Sequence, residues 1–311
     1  MMMHHTRTYR PSSPCANCNG IAGFTLIEMI ITIVITGILA GIIAVFIVRP
    51  MQGYVDLGRR AALVDAAESA LRRMARDIRI ALPNSVRVTN NPSGIPGFAL
   101  EMIPTLDAGK YTTGGNGGNR DLGFGGGGDD NFDIWPSFHN PAFSLGTFSP
   151  RRLVVNNRGT TGNDVYADAS IGAGNPSIGV ITPKGITITL SINGINQHIA
   201  FSNSHKFKSS SPDTRIYVVQ TPVSYLCNET SGTLTRYANY DIQTNQPVSA
   251  ATLNALPGVT SALVTDHVSN CSITTLASTI RSRGLATLDL TLSDQGEQIR
   301  LIQQVQLDNS R

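Results

Sequence analysis

The sequence predicts an α+β protein: one long N-terminal helix, its first half of membrane-spanning character and its second half packed on an antiparallel β-sheet globular domain. Three observations predict this fold class. Residues 24–48 are an apolar run interrupted by a single charge, residues 57–82 repeat apolar side chains at three- and four-residue steps, and several runs from Ile186 onward alternate apolar and polar residues.

The first element follows from length. The 25 residues from Phe24 to Val48 would rise about 37 Å as a helix, enough to cross a bilayer core of about 30 Å. The charge inside that run is Glu28. An ionisable side chain in a spanning helix costs at least about 2.5 kcal/mol and is normally paired, so Glu28 calls for a partner. A secretory signal would carry an apolar stretch of about 7 to 15 residues followed by a small-residue cleavage site. Here the apolar stretch is longer.

The second element continues the helix. Leu57, Ala61, Val64, Ala67, Leu71, Met74, Ile78 and Leu82 form one stripe, and Pro83 stops it. Glu68 with Arg72, and Arg73 with Asp77, are spaced to pair across a turn. Pro50 predicts a kink or locally melted segment over residues 46–50. Arg59, Arg60, Arg72, Arg73, Arg76 and Arg79 are interspersed with Asp65, Glu68 and Asp77 and lack interleaved aromatics, which reads as a solvated helix face. The formal charge of +3 comes from 24 basic and 21 acidic residues, and without Arg7 and Arg10 the basic count is 22. No nucleic-acid partner is expected from that balance.

Residues 85–150 read as loop-rich. Nine glycines fall within 114–128, with no GK[ST] ending that would make a phosphate loop. Asp121, Asp129, Asp130 and Asp133 flank them. Hard carboxylate oxygens on a pliable loop can ligate calcium, although the spacing is not that of an EF-hand and a mobile surface insertion over 107–133 accounts for the same residues. Trp135 is expected to anchor a satellite core. Beyond it, residues 186–192, 215–220, 223–227, 285–292 and 299–307 read as strands. Six histidines stand at 4, 5, 139, 198, 205 and 267, without HExxH, GxSxG or zinc-ligand spacing, so no enzyme and no resident cofactor is expected.

Gly23-Phe24-Thr25-Leu26-Ile27-Glu28, behind a short leader carrying Arg7 and Arg10, resembles the processing site of type IV pilins and type II secretion pseudopilins. The resemblance implies that a prepilin peptidase cuts between Gly23 and Phe24 and methylates the new N-terminus. It divides the chain into a leader (1–23), a transmembrane half-helix (24–48), an amphipathic half-helix (49–82) and a periplasmic β-rich domain (83–311). Glu28, the fifth residue of the mature chain, would then meet the ammonium at Phe24 of a neighbouring subunit. The implied partners are the peptidase, other major and minor pilins and an inner-membrane assembly platform. The N-terminus would lie in the cytoplasm and the large polar remainder outside the inner membrane. Cys15 and Cys18 would leave with the leader, whereas Cys227 and Cys271, in an oxidising compartment, would form a disulfide or remain two buried thiols.

Later segments narrow the resemblance. Ala70-Leu71-Arg72-Arg73-Met74-Ala75-Arg76-Asp77-Ile78-Arg79, Ala81 to Arg87, Tyr225-Leu226-Cys227, Gly232 to Tyr237 and Arg300 to Asn309 are similar to the minor pilins of MSHA pilus biogenesis, and more distantly to the J-type minor pseudopilins of type II secretion. The expected function is a minor subunit in assembly, initiation or the tip of such a filament. A tip adhesin and a secretion pseudopilin are the alternatives.

Overall fold

The computed structural model describes residues 23–114, 120–140, 145–148, 151–172, 176–194, 196–276 and 284–307. Readings made on the leader, on residues 115–119 of the glycine-rich stretch and on the last residues of the terminal segment lie outside these. The chain divides into two compact units, Met1–Asp56 and Leu57–Arg311.

In order, the elements are α1 (Leu26–Arg79), β1 (Arg87–Asn90), β2 (Gly97–Met102), β3 (Thr105–Lys110), β4 (Asp129–Ile134), β5 (Gly146–Phe148), β6 (Arg152–Val155), β7 (Ser177–Gly179), β8 (Ile188–Asn193), β9 (Asn196–Phe207), β10 (Arg215–Val219), β11 (Val223–Asn228), β12 (Thr233–Ala238), α2 (Ala250–Asn254), β13 (Thr260–Thr265), β14 (Val268–Leu276), β15 (Gly284–Asp294) and β16 (Glu297–Leu307). This is the α+β class, with strands pairing antiparallel except where β7 runs parallel to β9.

α1 continues through Pro50, so the melted segment expected at 46–50 is not seen. It ends at Arg79 rather than Leu82. Pro83 disfavours helical geometry at Leu82, and the backbone groups freed there pair with the β2–β3 connection. Leu82 N–H donates to the Ile103 carbonyl (2.7 Å) and Thr105 N–H to the Ile80 carbonyl (2.7 Å).

The buried stripe of α1 is Leu63, Ala67, Ala70, Leu71, Met74, Ala75 and Ile78. Leu57 and Ala61 are exposed, against expectation, and Val64 is partly buried. The stripe packs into one core with Phe98, Leu100 and Met102 of β2, Val223, Tyr225 and Cys227 of β11, and Ile273, Leu288 and Leu290 of the β14-β15-β16 sheet. Asp77 does not pair along the helix with Arg73. It turns inward, where its Oδ2 accepts from Tyr225 Oη (2.7 Å) and Arg236 Nε (2.9 Å), tying α1 to β11 and β12.

β2 overturns the loop-rich reading of 85–150, a region that also holds β1, β3, β4 and β5. It is buried along its length within the five-stranded sheet β1-β2-β11-β12-β13. Phe98, Leu100 and Met102 face α1, while Ala99 joins Leu226, Tyr237, Tyr240 and Leu253 in a separate core. A strand covered on both faces shows no alternation, which is why the period of two was missing. Gly97, at φ +130°, is required, because a Cβ there would stand 2.2 Å from the Cys227 carbonyl oxygen.

A second core lies among β3-β10-β6 and β4-β9-β8-β5 and is built from Phe132, Ile134, Val155, Leu190, Ile199, Phe207 and Ile216. Trp135 is no anchor of it, being 54% exposed. Cys227 on β11 and Cys271 on β14 are joined by a disulfide, both sulfurs lying in the α1 core. The bond links the five-stranded sheet to β14-β15-β16 across a sequence separation of 44. Replacing both cysteines by alanine is expected to lower unfolding stability by about 2 to 5 kcal/mol. Urea titration of the oxidised wild type against the double variant reads this directly, and a difference below about 1 kcal/mol would mean that the core alone holds the two sheets together.

Candidate functional site

The first turn of α1 is built by Thr25. Its carbonyl accepts from Glu28 N–H (3.1 Å) and Met29 N–H (3.2 Å), and its Oγ1 also accepts from Glu28 N–H (3.3 Å). Thr25-Leu26-Ile27-Glu28 is thus the Thr-x-x-Glu pattern of a capped helix start, with a carboxylate at the positive end of the helix dipole. This capping role of Thr25 was legible in the sequence but was not read there. Phe24, Leu26, Ile27 and Met29 are exposed, and α1 contains a window long and apolar enough to cross a membrane with none of its residues buried. An apolar surface of that extent needs lipid or neighbouring protein around it. At Gly23, a Cβ would meet nothing within 4 Å.

Of the four aspartates around the glycines, Asp129, Asp130 and Asp133 accept hydrogen bonds from within the fold. Asp129 accepts from Gly123 N–H, and burial raises its carboxyl above the ordinary range, with that hydrogen bond opposing and the Asp130 charge adding. Asp130 accepts from Asn131 Nδ2 (2.6 Å). Asp133 is fully buried, its Oδ1 lying 2.5 Å from His198 Nδ1 and its Oδ2 accepting from Arg120 N–H (3.1 Å). Asp121 is partly buried. Among the described residues no three His, Cys, Asp or Glu side chains converge as a metal site.

Two further polar pairs are structural and escaped the sequence reading. His205 is buried with its Nδ1 2.7 Å from Ser177 Oγ, and burial lowers it to about 4, so it is neutral at physiological pH. This contact fastens β7 to β9, whose register places Ser177 opposite His205. On the far face of β2, Glu101 is fully buried and meets Arg87 Nε at 2.6 Å and Tyr240 Oη at 3.0 Å. Arg87 also donates to the carbonyls of Thr244 (2.8 Å) and Gln243 (2.9 Å), and its guanidinium carbon lies 3.6 Å from the Tyr166 ring centroid.

Among the sequence-predicted site residues described, Gly23, Phe24 and Glu28 lie together at the exposed N-terminus of α1. A family model described as the prokaryotic N-terminal methylation motif matches residues 18–44, the stretch that contains Gly23, Phe24 and Glu28. No curated protein and no solved structure matches the chain. The motif is a type IV pilin-like prepilin signal and implies processing by a prepilin peptidase and pilin partners. Together with the single apolar helix it fits a single-pass anchor in the inner membrane.

Proposed function

We propose that this chain is a minor pilin, cut between Gly23 and Phe24 and methylated there, that acts in the assembly, initiation or tip of a type IV filament of the MSHA kind, in the manner of the MshO minor pilin. The observation that carries the reading is the methylation motif over 18–44 leading into a membrane-length helix with exposed apolar sides. Cleavage would leave an ammonium on Phe24, four residues before the Glu28 carboxylate. In a bundle of such helices within the membrane, the Glu28 of one subunit and the Phe24 ammonium of the next attract strongly, because the surrounding dielectric is low. Leaving either charge alone there is costly, so the pair sets the axial register of an incoming subunit. The β-rich unit would lie on the periplasmic side, and the role is structural rather than catalytic.

Glu28 has a competing use as part of the helix cap, and two variants separate the two. Thr25→Ala removes the capping hydroxyl but keeps the carboxylate, whereas Glu28→Ala removes the carboxylate but keeps the bond from the residue 28 backbone N–H to Thr25 Oγ1. Glu28→Ala is expected to be processed normally and to enter sheared filaments at least about tenfold less well than wild type, a loss larger than that of Thr25→Ala. Immunoblots of the membrane and filament fractions check this. Wild-type incorporation of Glu28→Ala would sink the register role.

A further inference from the structure

β2 and β11 pair directly, and the chain inserts residues 103–222 between them. Within that insertion β4, β10 and Tyr111, just beyond β3, contribute to the second core. Tyr111 forms an antiparallel bridge with Ile134, and both side chains are buried. The flanking backbone bonds fix the register: Thr112 N–H donates to the Asp133 carbonyl (3.0 Å) and Trp135 N–H to the Lys110 carbonyl (2.7 Å). Lys110 therefore stands opposite Trp135 and, on its other side, opposite Arg215 of β10. Side chains alternate between faces along a strand, so these three leave on the side away from Tyr111, Ile134 and Ile216. With about 5 Å between neighbours, they form a row of about 10 Å.

The fold makes little use of this row. Trp135 is 54% exposed and is the single tryptophan of the chain. Its indole N–H and the exposed Lys110 ammonium make no hydrogen bond or ion pair with any described residue. Arg215 is partly exposed and holds Asp213 at 3.5 Å, a contact of the weak kind that a better-placed anion can replace. An exposed apolar residue by itself requires no explanation. An indole in register with two cations does, because the three together have the chemistry of a ligand that is both ring-shaped and anionic.

We propose that this row binds an acidic polysaccharide, a glycan with carboxylates on its sugar rings. A sugar ring presents C–H bonds on its face, and these complement the negative face of the indole while the N–H remains for a hydroxyl. Carboxylates of neighbouring rings meet the Lys110 ammonium and the Arg215 fork. An open row on a sheet suits a polymer, since a small ligand needs a concavity to bury it. A single-stranded nucleic acid fits less well. Such strands are held by successive aromatics along a basic groove, and here one tryptophan stands in the row with Asp213 beside Arg215. The inference stands apart from the filament reading, because the row lies on the inserted stretch and not on α1.

The single tryptophan makes the site its own reporter, so intrinsic fluorescence of the full-length chain in detergent is the test. Tetragalacturonate is expected to change the emission saturably, and neutral cellotetraose to bind at least about tenfold more weakly, lacking the carboxylates. Lys110→Glu is expected to weaken tetragalacturonate binding at least about tenfold, whereas Lys110→Arg, which keeps the charge, retains it. Trp135→Ala, followed by calorimetry, should remove binding. Both side chains are exposed, so urea midpoints equal to wild type separate lost binding from lost fold. An unresponsive emission, equal binding of cellotetraose or wild-type binding by Lys110→Glu would overturn the proposal. Tighter binding of oligothymidylate would overturn it in favour of a nucleic acid. None of these results bears on cleavage at Gly23, so the filament reading is tested separately.

Discussion

Glu101→Ala is expected to lower the unfolding free energy by about 3 to 5 kcal/mol, the usual cost of stripping one partner from a buried ion pair. The carboxylate is fully buried and serves both Arg87 and Tyr240, and Tyr240 Oη in turn lies 2.6 Å from Ser224 Oγ. Its removal strands a largely buried guanidinium and a buried hydroxyl. Arg87 also holds the carbonyls of Gln243 and Thr244, so the segment after β12 should loosen with it. Burial raises the Glu101 carboxyl above the ordinary glutamate value, while the Arg87 charge and the hydrogen bonds from Arg87 and Tyr240 oppose the shift.

The folded chain therefore holds this proton more tightly than the unfolded chain does. The proton-linked component of stability from Glu101 is full below the unfolded value and is lost as pH rises through the raised folded one, the Arg87 and Tyr240 contacts of the ionised group remaining. Glu101→Gln, which cannot titrate, should lack that component. Denaturant titrations of wild type and Glu101→Gln across this window measure it, and parallel stability curves would show that burial does not govern the group.

The second large effect lies just ahead of α1. Gly23→Leu is expected to abolish maturation, leaving the chain with its leader and outside the filament. A Cβ at this position meets nothing within 4 Å, and residue 23 precedes the first turn of α1, so the fold itself has no need of glycine there. Under the proposed processing the requirement would belong to an extended scissile bond approached closely by the peptidase, where any side chain would obstruct. Immunoblotting against wild type shows whether the leader is retained, with Glu101→Gln, a substitution in the other compact unit, as a control. Processing of Gly23→Leu at the wild-type rate would break the link between the motif and cleavage.

The methylation motif was legible in the sequence because it is local. Gly23, Phe24 and Glu28 fall within six residues of chain, so no tertiary contact is needed to recognise the pattern. The stripe from Ala67 to Ile78 and the strands near 188–193, 215–219, 223–228, 284–294 and 297–307 were legible for a related reason, since each has one covered face or a short apolar run. β2 was not, because α1 covers one of its faces and Tyr240 with Leu253 the other. β9 was not either, since Asn203, Ser204 and His205 interrupt its apolar residues, and His205 acquires its place from β7 and β4. Trp135 was misread because size and apolarity do not say which side of a sheet a residue leaves from.

Asp77 marks the boundary between the two kinds of information. Its spacing from Arg73 favours a pair along the helix, yet Tyr225 and Arg236 arrive from 148 and 159 residues away and take its carboxylate inward. The sequence by itself determined the membrane-length helix, its charged first turn and the cleavage motif, because period, length and contiguous chemistry act within a few turns of chain. Only the tertiary structure decided which charges are neutralised inside and which remain outside on α1, because burial and pairing depend on strands that meet the helix from far along the sequence.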